Sequence, residues 1–114
     1  MAFSLVWQTP AARTFDQLMA DADAALKQRH GKGKSTKAEG LFKQVHKCVE
    51  LLAANPRHPG LQTHEFHSLA HPYDRNQKVF EAYAQKCTPG AYRVFWCYGP
   101  GRNQITIIAI TPHP

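Results

Sequence analysis

A lone arginine stands in one of the most apolar stretches of this chain, Tyr92-Arg93-Val94-Phe95-Trp96. A charge among aromatic residues needs a reason, either a carboxylate on a neighbouring strand or an anionic ligand. The planar guanidinium fork suits an anion well, because it grips two oxygens of one phosphate at once. Two glutamates, Glu65 and Glu81, fall in segments from which an ion-pair partner could come. His58, His64, His67 and His71 form the densest imidazole cluster. On a helix, the last three would stack on one face, an arrangement zinc favours. A strand instead sends His64 and His67 to opposite sides, and no cysteine or carboxylate is spaced to complete a set. No metal is expected.

The stretch HGKGKST, residues 30–36, carries the Gly-Lys-Ser core of a phosphate-binding loop. Such a loop needs a glycine where this chain has Gln28, and it follows a strand rather than a helix. No nucleotide cofactor is expected. The lysines remain to be explained. Lys32, Lys34 and Lys37 lie beside Lys27 and Arg29, with Lys43 and Lys47 further along. Such a cluster suits a phosphate backbone, which supplies affinity with little sequence information. The net charge of +6 points to the same kind of polyanionic partner.

The elements that position these residues follow from pattern. At 114 residues with 43% apolar content, the chain is expected to form a single domain, 1–114, with its own core. No apolar run approaches a membrane span, and no signal peptide is visible. Three widely spaced cysteines fit a reducing cytoplasm better than a disulfide scaffold.

Residues 3–7 read as a strand, ended by Thr9-Pro10, with Thr9 as the cap of a helix. Phe15, Leu18, Met19, Ala22, Ala25 and Leu26 then recur at helical spacing and form its buried stripe. Thr36 and Glu39 make a capping box for a second helix, whose stripe runs from Leu41 to Leu52. HGKGKST is therefore the turn of a helical hairpin. Residues 61–66 and 79–83 read as strands around a polar connection at 67–77. Residues 91–98 and 104–111 are clearer strands, rich in β-branched and aromatic side chains and joined as a hairpin. The sum is an α+β domain of order β-α-α-β-β-β-β, a helical hairpin on a mostly antiparallel sheet of four to five strands.

In size, element order and local motifs the chain resembles the RelE/ParE superfamily of type II toxin–antitoxin toxins. The resemblance spans nearly the whole chain. It is carried by Asn55-Pro-Arg-His-Pro-Gly-Leu-Gln-Thr-His64, by Ala91-Tyr-Arg-Val-Phe-Trp96, and by the terminal Ile110-Thr-Pro-His-Pro114. RelE-type members are ribosome-dependent endoribonucleases that cut mRNA; ParE-type members poison DNA gyrase. The resemblance thus implies a cytoplasmic bacterial toxin bound by an acidic antitoxin, with ribosome and mRNA as its other partners.

RNA cleavage through the ribose 2′-hydroxyl needs a base, a cation beside the phosphorane and an acid for the 5′-oxygen. By resemblance Arg93 supplies the cation and His113 the acid. Glu81 is the candidate base, although relatives often carry a basic residue there. Lys32, Lys34, Lys37, Arg57, His58, His64, His67 and Tyr92 are expected to contact RNA. The alternatives are a gyrase inhibitor without chemistry and an inactive RNA-binding relative.

Overall fold

The computed structural model describes residues 2–85 and 90–112. The order is β1 (Ser4–Trp7), α1 (Thr9–Gln28), α2 (Lys37–Ala54), a 3-10 turn (Pro59–Leu61), β2 (His64–Phe66), β3 (Val79–Tyr83), β4 (Tyr92–Tyr98) and β5 (Gln104–Pro112). The strands form one five-stranded sheet in the order β1-β5-β4-β3-β2. All neighbours are antiparallel except β1 and β5. The expected α+β architecture is the one observed, with the two most apolar strands, β4 and β5, inside the sheet.

Both helices cover one face of that sheet. Val94, Trp96, Ile105, Ile107 and Ile110 meet Val45, Cys48 and Leu52 in the main core. Leu52 has no solvent exposure, so its truncation to alanine should cost about 2–5 kcal/mol. The opposite face carries a smaller cluster of Val79, Phe95, Cys97 and Ile108. Burial pushes the Cys48 thiol up to about 12 and that of Cys97 to about 11, so both stay protonated and act as apolar packing groups.

The turn between the helices is built around Arg29. Its guanidinium grips Glu39 at 2.8 and 3.0 Å and donates to the Lys32 and Gly33 carbonyls at 2.8 and 3.2 Å. The capping box forms as expected: Thr36 N–H donates to Glu39 at 2.7 Å, and Glu39 N–H to the Thr36 hydroxyl at 3.3 Å. Gly31 and Gly33 take positive φ values of 67° and 74°, which explains both glycines without a ligand.

Three local expectations change. Thr9 does not cap α1; it is already helical, and Gln8 is the cap residue. Gln8 N–H still bonds Ile107 at 3.0 Å while its carbonyl accepts from Ala12, so strand runs directly into helix and leaves no position for a side-chain cap. The strand expected at 61–66 shrinks to its last half, because Leu61 is buried in the 3-10 turn and Gln62 reverses the chain at φ 49°. Met19 and Leu26, expected in the buried stripe of α1, are 46% and 43% exposed. The apolar stripe is wider than the surface that α2 and the sheet can cover.

Candidate active site

Sheet register brings the chemistry-bearing residues together. Arg93 lies between Tyr83 on β3 and Thr111 on β5, while Glu81 lies opposite His64 and Phe95. Directly opposed residues share a face, and so do residues two apart on one strand. His64, Glu81, Tyr83 and Arg93 therefore share the face opposite the helices.

Arg93 is 6% exposed. Its Nη1 donates to the main-chain carbonyls of Gln85, Ala91 and Tyr92 at 2.9, 3.3 and 3.4 Å. Its Cζ lies 3.8 Å from the centre of the Tyr83 ring, a cation–π stack. Among the described residues no carboxylate lies in ion-pair range of it. Its buried Nε has no hydrogen-bond partner there either. The guanidinium is thus oriented by dipoles and a ring while its charge is kept.

Neither glutamate pairs with it. Glu81, 1% exposed, places Oε1 2.6 Å from Nε2 of His64. The other ring nitrogen of His64 lies 3.2 Å from the Gln62 carbonyl oxygen. The His64 ring meets Tyr83 edge-on, centroids 5.5 Å apart. Imidazole, phenol and guanidinium therefore stand in a row across β2, β3 and β4. Glu65 faces outward, 3.8 Å from Lys78 and 3.5 Å from His67.

His71 is spoken for. Its Nδ1 accepts from the N–H groups of Tyr73 and Asp74, both at 3.1 Å, so its Nε2 donates to the Tyr98 carbonyl at 3.0 Å. It fastens the connection between β2 and β3 over the sheet, aided by Tyr73 and Thr106, whose hydroxyls lie 2.9 Å apart. Among the described residues no cluster of three or more His, Cys, Asp or Glu side chains could hold a metal.

At the end of β3 a groove of about 550 Å³ opens on the helix side of the sheet, where Gln44, Lys47, Cys48 and Leu51 of α2 face His58, Gly60, Tyr83 and Ala84. His58, exposed, braces the turn by accepting from Gly60 N–H at 2.9 Å; Arg57 is exposed but does not line this groove. Tyr92 is half-buried against the main core. Lys32, Lys34 and Lys37 are exposed at the start of α2, about 10 Å by helical rise before Gln44, the first α2 residue of this groove. His113 lies outside the described residues; the strand leading to it pairs Thr111 with Arg93 and Pro112 with Tyr92.

Sequence reasoning missed Tyr83, which links every member of the row. Alternation already places it on the face of Glu81, and that signal was available. The carbonyl cage of Gln85, Ala91 and Tyr92 had none, because main-chain acceptors carry no residue identity.

A helical hairpin on this sheet order defines the fold of the RelE/YoeB/ParE toxins, and the chain has that fold. No family model and no curated sequence matches it. Solved structures do. The YoeB/ParE toxin from Agrobacterium tumefaciens aligns with a TM-score of 0.62 at 9% identity, covering 97% of this chain and 99% of that one. RelE in the archaeal RelE–RelB complex from Pyrococcus horikoshii OT3 aligns at 0.57 with 13% identity, over 98% and 96% of the two chains. YoeB from Staphylococcus aureus, solved as a dimer, aligns at 0.55 with 10% identity over 100% of both. At such identities the likeness establishes architecture. No helix is long and apolar enough to cross a membrane.

Proposed function

We propose that this protein is the toxin of a bacterial type II toxin–antitoxin pair, a cytoplasmic endoribonuclease that cuts mRNA on the ribosome. The observation that carries the reading is Arg93, a buried cation held by carbonyls and a ring with no described carboxylate to neutralise it. Charge held in a low-dielectric site acts more strongly on a developing phosphorane than it would in water. Arg93 stabilises that charge, His113 protonates the departing 5′-oxygen, and the groove beside Tyr83 receives the message. The exposed lysines of the helical turn grip ribosomal RNA, and the ribosome supplies the orientation that the small site cannot.

The partner is an acidic antitoxin. It lays an amphipathic helix into the apolar groove of about 330 Å³ between the helices, which is lined by Met19, Ala22, Leu26 and Phe42 beside Lys43 and where Met19 and Leu26 are exposed.

A translation extract tests the reading. Purified protein is expected to deplete message and leave cuts in register with codons. Intact message together with loss of supercoiling by gyrase would assign the gyrase-inhibitor class instead, and neither effect would leave an RNA-binding protein without chemistry.

A further inference from the structure

The groove between α2 and the end of β3 has two kinds of wall. Gln44, Lys47 and His58 bring polar ends to it, and Cys48, Leu51 and Ala84 bring apolar surface. At about 550 Å³ it falls within the range of clefts that take small molecules, about 300–1,000 Å³. Among the described residues no carboxylate lines it. We propose that the groove holds one nucleotide of a single RNA strand, with Gln44, Lys47 and His58 on its phosphate. This deepens the ribonuclease reading above, and rests on it for calling the strand a message.

Two main-chain N–H groups fix what these side chains offer. Tyr92 N–H can only donate, so the atom it meets at 3.0 Å is Oε1 of Gln85. The Gln85 amide nitrogen then donates to Gln44 Oε1 at 2.9 Å. With its oxygen taken, Gln44 is left with its NH2 group, two donors, for the groove. The same reasoning holds for His58. Gly60 N–H donates to its Nδ1 at 2.9 Å, so the ring proton is on Nε2, a further donor. Lys47 adds a cation, exposed and with no described carboxylate in ion-pair range. An amide NH2, an imidazole N–H and an ammonium present donors alone. A phosphodiester matches them, because it carries a charge and accepts through two oxygens without a proton to give. The apolar wall leaves the sugar and base a surface that demands no hydrogen bond.

An acidic peptide also presents acceptors, but two observations favour the strand. First, the large apolar anchors that an amphipathic helix needs, Met19 and Leu26, are exposed in the other groove. Here Cys48 is buried and Leu51 half-buried. Second, Gln85 joins this groove to Arg93. Its side chain bonds Gln44 on the helix side, while its carbonyl accepts from Arg93 Nη1 at 2.9 Å. One residue at the end of β3 thus ties the donors of the groove to the cage of the buried guanidinium. A strand rounding this end of the sheet offers successive phosphates to both.

The test is binding of a short fluorescent single-stranded RNA, followed by anisotropy across a salt series. Lys47→Gln should weaken binding about fivefold at about 0.1 M salt and lower the log–log slope by about 0.7, the worth of one phosphate contact. Gln44→Glu keeps an acceptor for Gln85 but turns negative charge toward the groove, and should weaken binding about tenfold or more. Arg13→Gln removes an equal charge from an exposed position on α1 and should cost much less than Lys47→Gln. All three positions are exposed, so the variants should fold, with urea midpoints matching wild type. Equal losses from Arg13→Gln and Lys47→Gln would make the attraction diffuse and overturn the proposal. Polyglutamate is the rival probe: a Gln44→Glu variant that releases it yet binds RNA as wild type does would hand the groove to an acidic partner. Cleavage of ribosome-bound message keeps the two readings apart. Wild type that cuts, with groove variants that bind RNA and cut as it does, overturns this proposal alone. Wild type that binds RNA through the groove yet never cuts overturns the ribonuclease reading and leaves the nucleotide site standing.

Discussion

Arg93 combines two features that normally exclude one another, burial and a charge that no described carboxylate neutralises. Three carbonyl oxygens and the Tyr83 ring offset part of the desolvation while leaving the guanidinium cationic. A lysine could keep the charge but neither the planar stack nor the fork. Arg93→Lys is therefore expected to lose about 10²–10³-fold in cleavage, close to the loss of a transition-state donor. Arg93→Ala and His113→Ala should each abolish growth toxicity. All three variants should still capture the antitoxin, because the helix groove lies across the molecule from this row. Growth assays beside antitoxin pull-downs check this, and full toxicity of both alanine variants would remove the catalytic assignment.

Elements differ in how much of themselves the sequence displays, and the reason is range. The start of α2 was legible because Thr36 and Glu39 satisfy each other within one turn. The start of α1 was not, since a hydrogen bond from Gln8 to distant Ile107 sets it. In the same way β4 and β5 announced themselves by composition, whereas the register that faces Glu81 to His64 depends on a reversal at Gln62. Arg93 was visible as an oddity; its carbonyl cage was not. The helical turn yields a prediction that belongs to this scale. The Arg29 hydrogen bonds, with the Thr36 N–H second, hold the Glu39 carboxyl down from the ordinary 4.5 to about 2. Since the folded value is depressed, the stabilisation is complete above the ordinary value and is lost as pH falls from about 4.5 through about 2. Urea midpoints should show wild type more stable than Glu39→Gln near neutrality and the gap closing across that acidic window. A constant gap would mean that the pair contributes nothing through its charge.

Across the whole molecule, the proposed function divides among separate surfaces. The sheet face carries the His64–Tyr83–Arg93 row, and the turn at the start of α2 carries Lys32, Lys34 and Lys37. Between the helices lies the apolar groove with Met19 and Leu26. Its two acids are already matched, Asp23 by Lys27 at 3.0 Å and Glu39 by Arg29 at 2.8 Å. Among the described residues Lys43, which also lines the groove, has no carboxylate in ion-pair range, so the groove keeps a positive charge complementary to an acidic helix. This separation predicts a double dissociation. Replacing Lys32, Lys34 and Lys37 together with glutamine should weaken ribosome binding and flatten its salt dependence, by about 0.7–0.9 in log–log slope for each phosphate that is no longer neutralised. Leu26→Glu should leave ribosome binding intact but weaken antitoxin capture by about 10–100-fold, the worth of one apolar anchor turned into a repelling charge. Titrating both variants against ribosomes and against antitoxin decides the matter. If the lysine variant bound ribosomes with unchanged affinity and slope, the turn would serve solubility only; if Leu26→Glu bound antitoxin as wild type does, the partner would have to dock elsewhere.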